Sequence, residues 1–283
     1  MKTLKGKAIY EAKGRANEFG KYAVSFYVGC SCNCSYCFNK KGRFAKVIGG
    51  DTPTLKKCFK DENHALEIFE KELKANLPEL QKHGLFFSFT TDPMLCDETI
   101  FVTGKAVMNC IYYNIHVKIL TKRADFFSYH NHFTDYIIPA NPYENSRKDV
   151  AFGFTLTGHD ELEPNASTNA ERIEAMRKLH EAGFKTWASI EPIIDIYSSF
   201  KMICRTIEYC DLYKIGIESG KKYNRKRLIE FISAVTSINH SEPYPNGKFL
   251  KIYFKDNLLK AAGISRSKLP SNCVNRDYNI FNN

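Results

Sequence analysis

"YAVSFYVGCSCNCSYCF", residues 22–38, runs a β-branched and aromatic segment straight into four cysteines placed within eight positions. The apolar part, 22–28, predicts a strand. Cys30, Cys32, Cys34 and Cys37 then sit on the loop that leaves it. Thiols this close together are disulfide partners, zinc ligands or ligands of an iron–sulfur cluster, and the rest of the chain has to choose.

The 283 residues are 43% hydrophobic and 25% charged, which is ordinary globular composition. No run of eighteen apolar residues occurs, so no membrane-spanning helix is expected. The segment "MKTLKGKAIYEAKG" (1–14) has no apolar signal core. The expected compartment is the cytoplasm, with no membrane partner. Thiols stay reduced there, and clustered cysteines read as metal-binding or catalytic rather than as disulfides. Cys58, Cys96, Cys110, Cys204, Cys210 and Cys273 are scattered, as free buried cysteines would be.

Charge is uneven. Residues 1–60 hold thirteen Lys/Arg against three acids, which accounts for the whole net charge of +10. A second basic run, "KKYNRKR", occupies 221–227. The asymmetry points to a polyanionic partner such as DNA or RNA, against the plainer reading of a solvated lysine-rich surface.

Beyond the cysteines, strand and helix patterns alternate. Strands are expected at 22–28, 85–90, 116–122, 149–156, 185–194 and 212–218. Helices are expected at 62–77, 98–113, 167–184 and 198–210. Thr168 with Glu171 forms a capping-box pattern, Gly183 suits a helix C′ position, and Ser198 or Ser199 is the expected cap of the fourth helix. The tail from about 240 reads as one more strand and helix, and its last dozen residues as polar and loose. Near-continuous apolar strands separated by helices predict an α/β fold with a parallel sheet, either doubly wound or barrel-like. In both, the site lies at the C-terminal strand ends. Polar residues gather there: Thr90, Thr91 and Asp92; Thr121 and Lys122; Thr155 and Thr157; Glu191; Glu218. A shared polar pocket explains them better than turn chemistry alone.

The cysteine spacing narrows the choice. Zinc asks for a second ligand pair, but Cys204 and Cys210 are six apart and His130 and His132 have no partner pair. Neither common ferredoxin spacing matches. Three thiolates on one loop can hold three irons of a 4Fe–4S cube and leave the fourth open to a substrate.

Cys30, Cys34, Tyr36 and Cys37 spell C-x3-C-x-aromatic-C after the first strand, and in this the chain resembles the radical S-adenosylmethionine superfamily. The resemblance implies a partial (β/α)6 TIM-type barrel over 21–220, preceded by a basic N-terminal extension (1–20) and followed by a C-terminal extension (221–283). It implies a 4Fe–4S cluster on Cys30, Cys34 and Cys37, with S-adenosylmethionine on the open iron. A flavodoxin- or ferredoxin-type protein would donate one electron. Reductive cleavage would then give methionine and a 5′-deoxyadenosyl radical that takes hydrogen from a substrate. Tyr36 would lie beside cluster and adenine. "FTTDP" (89–93) stands where many members carry a Gly-Gly-Glu-like segment, so Thr90, Thr91 and Asp92 become candidates for the cofactor's amino group. Lys122 would meet its carboxylate, and Thr155, Thr157 and Glu191 its ribose or the substrate. Cys32 departs from the family pattern and is expected to be a bystander.

"TTDPM" (90–94) and "SIEP" (189–192) look similar to stretches in spore photoproduct lyase-like members and short phage or plasmid radical proteins. That would imply a lyase-type reaction on DNA, with Cys96 as a hydrogen donor. Two rivals stand beside it. One is a radical enzyme acting on a peptide or small metabolite; the other is a non-enzymatic, metal-stapled nucleic-acid-binding protein.

Overall fold

The computed structural model describes residues 4–42, 45–128, 146–238 and 250–282. His130, His132 and the start of the expected C-terminal strand–helix unit lie outside them. The strands are β1 (Ile9–Glu11), β2 (Tyr22–Val24), β3 (Tyr27–Val28), β4 (Thr54–Leu55), β5 (Leu85–Phe87), β6 (Val117–Thr121), β7 (Val150–Thr155), β8 (Lys185–Ile193), β9 (Leu212–Ile217) and β10 (Lys251–Phe254). The helices are α1 (Ala45–Ile48), α2 (Glu62–Ala75), α3 (Leu77–His83), α4 (Asp97–Tyr112), α5 (Ser146–Asp149), α6 (Asn169–Glu181), α7 (Ile196–Thr206), α8 (Arg225–Ser237) and α9 (Asp256–Ala262).

Eight strands form one sheet in the order β1-β2-β5-β6-β7-β8-β9-β10. β1 joins β2 antiparallel and every later pair is parallel. From β2 to β10 the spatial order follows the chain without reversal. A doubly wound sheet requires a reversal, so the winding is all of one sense and the helices fall on one face. The core confirms this. Alternate strand residues such as Phe87, Ile119, Phe152, Ile190, Ile215 and Phe254 pack with helix residues from α2, α4, α6, α7, α8 and α9. The opposite alternation, including Ala23, Phe86, Ala151, Trp187 and Tyr253, packs with Ala12, Phe19, Tyr278 and Ile280 and, among the described residues, with no α-helix residue.

Small residues make that helix-free face possible. Gly153 pairs with Trp187 across β7 and β8, and a Cβ there would overlap the indole ring. Gly153→Ala is therefore expected to cost about 1–3 kcal/mol through overpacking, read as a lower urea midpoint.

Several boundaries differ from expectation for identifiable reasons. The 22–28 strand divides at Ser25: its N–H donates to Ala8 O at 3.2 Å, and Phe26 O accepts from Lys56 N at 2.9 Å, turning β3 away to pair with β4. α7 is capped by Asp195, whose Oδ1 accepts from Ser198 N at 2.8 Å, so the helix begins before the serines expected to cap it. The Thr168–Glu171 capping box is present on α6. The basic run at 221–227 opens α8, capped by Asn224. The last dozen residues are not loose. Cys273 bridges to Ile252, Ile280 is 1% exposed, and Phe281 stacks on His116. The sheet also takes in both expected extensions, through β1 and β10.

Candidate functional site

A cavity of about 460 Å3 opens at the C-terminal ends of the parallel strands. It is lined by residues that follow nearly every strand: Cys30, Cys32, Cys34, Tyr36 and Cys37 after β3; Thr91 and Asp92 after β5; Lys122 after β6; Thr155 on β7; Ser189 and Glu191 on β8; Glu218 after β9; Lys255 after β10. Of the polar strand-end residues seen in sequence, Thr91, Asp92, Thr121, Lys122, Thr155, Glu191 and Glu218 meet at this rim, whereas Thr90 and Thr157 do not.

The cysteine loop is fastened on several sides. Gly29 takes a left-handed φ of 81°, and a Cβ there would strike Thr52 O. Cys30 N donates to Gly50 O at 2.9 Å and Ser35 N to Leu162 O at 3.0 Å. Thr91 Oγ1 donates to Gly29 O, and Thr90 Oγ1 to Tyr27 O at 2.5 Å. Both hydroxyls thus hold backbone, and Thr90 does not line the cavity. Asp92 is similarly occupied. Its Oδ1 accepts from Thr121 Oγ1 at 2.6 Å and its Oδ2 from Lys122 N at 2.7 Å, tying the end of β5 to the end of β6.

A buried network supports the loop from below. The Tyr36 hydroxyl donates to Glu163. Glu163 Oε2 also accepts from Arg172 Nη2 at 2.5 Å and from Thr157 Oγ1 at 3.3 Å. Arg172 Nη1 donates to Thr155 O at 2.6 Å. Arg172 and Glu163 are 0% and 2% exposed. Thr157 therefore lies in this support rather than on the cavity wall. The Lys122 ammonium stands 5.6 Å from the Tyr36 ring centroid. Burial works to lower its pKa, but Tyr36, Cys34, Glu163 and Cys32 outweigh that and hold it well above its ordinary value.

Among the thiols, a hydrogen bond from Cys32 pushes Cys30 down to about 7, and the same contact raises Cys32. Burial pushes Cys34 up to about 11. The donor set is four soft sulfurs, suited to iron–sulfur or zinc rather than to hard cations. Among the described residues no three His, Cys, Asp or Glu side chains are grouped as ligands of a metal ion. The thiols share one cavity without converging on a point. They fit a cluster by type and placement, and metal loading commonly completes such a site.

The far wall, at β8 to β10, holds a different set. Lys255, 1% exposed, lies 2.5 Å from Glu191 Oε2 and 3.8 Å from the Phe19 ring centroid. A Cβ at Gly216 would come within 2.8 Å of both Glu191 Oε1 and the Lys255 stem, so this pair needs the glycine. Lys41 pairs with Glu218 at 2.7 Å. The N-terminal segment completes the wall. Lys214 Nζ donates to Glu18 O at 2.5 Å and Phe19 O at 3.2 Å, and Lys13, Arg15 and Phe19 line the cavity. Cys96 is not on the cavity wall: its thiol contacts Thr99 Oγ1 at 3.7 Å in the cap of α4.

Lys255, Glu163, Arg172 and the segment 13–19 were missed in sequence. Lys255 ends the apolar run "KIYFK" as Lys122 ends "HVKILTK", so the same signal was available. Glu163 lies in an irregular loop, and Arg172 looks like any helix-surface arginine.

Near the cavity, His159 links two elements. Its Nε2 is 2.5 Å from Asp195 Oδ2 and its Nδ1 2.6 Å from Glu161 Oε1. Burial lowers its pKa, but the two carboxylates outweigh that and raise it. A raised folded pKa stabilises fully below the unfolded value of about 6.5 and is lost as pH rises through the folded value. Stability is thus expected to fall as pH rises from below 6.5 through that value, and the slope to flatten in His159→Gln, measured by urea titration across pH.

No family model matches the chain. An uncharacterized protein of Methanocaldococcus jannaschii is 24% identical over 204 residues, 68% of each chain. Among solved structures, Streptococcus suis SuiB bound to S-adenosylmethionine aligns with a TM-score of 0.53 at 13% identity, over 84% of this chain and 51% of SuiB. A second SuiB structure gives 0.51 at 12% identity, over 86% and 51%. The chain spans about half the length of SuiB, and the likeness is one of fold. No helix among the described residues is long and apolar enough to cross a membrane.

Proposed function

We propose that the chain is a radical S-adenosylmethionine enzyme on a partial (β/α) barrel, with Cys30, Cys34 and Cys37 holding a 4Fe–4S cluster. The observation that carries this reading is the cavity itself. It joins those three cysteines and Tyr36 to the C-terminal strand ends, in a fold shared with SuiB, whose crystal structure holds S-adenosylmethionine. A cluster held by Cys30, Cys34 and Cys37 would supply, once reduced, the electron for reductive cleavage of S-adenosylmethionine.

The chain's own residues then divide the work. Glu163 fixes Tyr36 next to the cysteines. Lys122 offers a point charge for the cofactor's carboxylate. Asp92 and Thr91 keep the loops in register. The β8–β10 wall, with Glu191 held by Lys255, is left for the substrate. Phe19, Phe89, Leu120 and Ile217 provide the apolar part of the lining that excludes water.

The test is anaerobic purification, reconstitution with iron and sulfide, reduction, and addition of S-adenosylmethionine. 5′-Deoxyadenosine in the products is the expected result; a loaded cluster with no such product would sink the reading.

The rim favours an anionic substrate, with a nucleic acid first. Lys13 and Arg15 line the cavity and, among the described residues, have no carboxylate partner. Two such contacts predict that log binding constant falls against log salt with a slope of about −1.4 on a single strand to −1.8 on a duplex. Salt-independent binding would favour a small metabolite.

A further inference from the structure

Cys32 has no part in the three-cysteine motif, yet the fold does not set it aside. It lines the same cavity as Cys30, Cys34 and Cys37, although the residue is only 1% exposed. It packs with Cys34 and Leu95 in one small cluster, against Cys30, Tyr36 and Cys37. From these contacts we infer that Cys32 is an exchangeable fourth thiol ligand. It caps the open iron while S-adenosylmethionine is absent and yields the position when the cofactor binds. The inference rests on the cluster reading above.

The loop is built to keep this thiol inward. Both neighbours of Cys32 are fastened from elsewhere. Asn165 Nδ2 donates to Ser31 O at 2.9 Å, and Lys40 Nζ donates to Asn33 Oδ1 at 2.5 Å. Asn33 takes a left-handed φ of 52°, the backbone conformation that turns the chain there.

The one-residue spacing from Cys30 explains why the contact would be exchangeable. Cys30 and Cys32 are tethered more tightly than the x3 and x2 spacings of the motif, so a thiolate in that position is held under constraint. A bidentate amino and carboxylate pair from the cofactor can displace it. On coordination the thiol releases its proton to solvent, and on displacement it takes one back; no electron changes hands. A plain packing role is the rival, since a buried free cysteine behaves as a small hydrophobe.

The experiment compares reconstituted wild type with Cys32→Ala, and with Cys32→Val should the smaller side chain loosen the loop. Low-temperature electron paramagnetic resonance of the reduced cluster is recorded with and without S-adenosylmethionine, and cofactor affinity is measured by equilibrium dialysis. Without cofactor the spectra of wild type and variant are expected to differ; with it they are expected to coincide. Removing an internal competitor should tighten cofactor binding about threefold or more. Equal spectra and equal affinities, with full iron in both proteins, would overturn the inference and leave the cluster reading standing. Wild-type protein that takes up no iron, or binds zinc tightly instead, overturns both, and metal analysis reveals this before any variant is compared.

Discussion

Cys34→Ala is expected to leave the reconstituted protein without a 4Fe–4S chromophore and without 5′-deoxyadenosine above background. Cys34 sits at the centre of the motif, nearly buried, and its carbonyl accepts from Cys37 N at 3.1 Å. Alanine keeps that backbone turn and removes only the sulfur, so the loss is one of ligation rather than of loop structure. Outer partners of metal ligands are worth about 10- to 100-fold when removed, so loss of a ligand itself should exceed about 100-fold. Iron and sulfide content, the visible spectrum and product chromatography all report on it. Cys58→Ala, which alters an exposed thiol, serves as the control and should retain both cluster and product. Full iron content in Cys34→Ala would show that other thiols hold the metal.

The second large effect lies beneath the loop. Arg172→Met strands the Glu163 carboxylate, which would keep only the Tyr36 and Thr157 hydroxyls as donors. Breaking one side of a buried ion pair typically costs about 3–5 kcal/mol, whereas replacing both partners by apolar residues is often nearly neutral. Arg172→Met should therefore lower the urea midpoint sharply, and the double change Arg172→Met with Glu163→Leu should recover much of it. The double variant should still bind cofactor less well, because Tyr36 has lost the acceptor that orients its ring. Equal stability of the single variant and wild type would show that the pair contributes little to the fold.

Period and spacing made the sheet readable. All seven successive parallel strands were expected, β10 and its following helix α9 included, because each is a short apolar run beside a helical pattern, and Cys30, Cys34, Cys37 and Tyr36 were visible as a motif after the first of them. Local signals failed where a longer-range contact decided the outcome. Ser25 looks like strand interior until Ala8 and Lys56 come to its sides. Ser198 looks like a helix cap until Asp195 competes for its amide. Among the site residues, sequence grouped Thr90 and Thr157 with the others because they follow strands, and Cys96 because the lyase-like resemblance implied a hydrogen donor. Which way a hydroxyl faces is set by its acceptor: Tyr27 O, far back in the chain, for Thr90, and Glu163, in an irregular loop without a periodic signal, for Thr157. The place of the 1–20 extension in the cavity wall was hidden by a contact of longer range. Phe19 and Glu18 are held by Lys214, almost two hundred residues away.

That last contact has a consequence for the order of events during synthesis. The four thiols are made well before Lys214 and Lys255, yet the wall opposite them needs both. Translation at about 5–20 residues per second leaves the cysteines outside the exit tunnel for many seconds before their cavity can close. During that interval they are an open, solvent-facing set of sulfurs, vulnerable to oxidation and to stray metals. On the reading proposed above, a cluster offered before Lys255 is made would meet every thiol and no closed cavity.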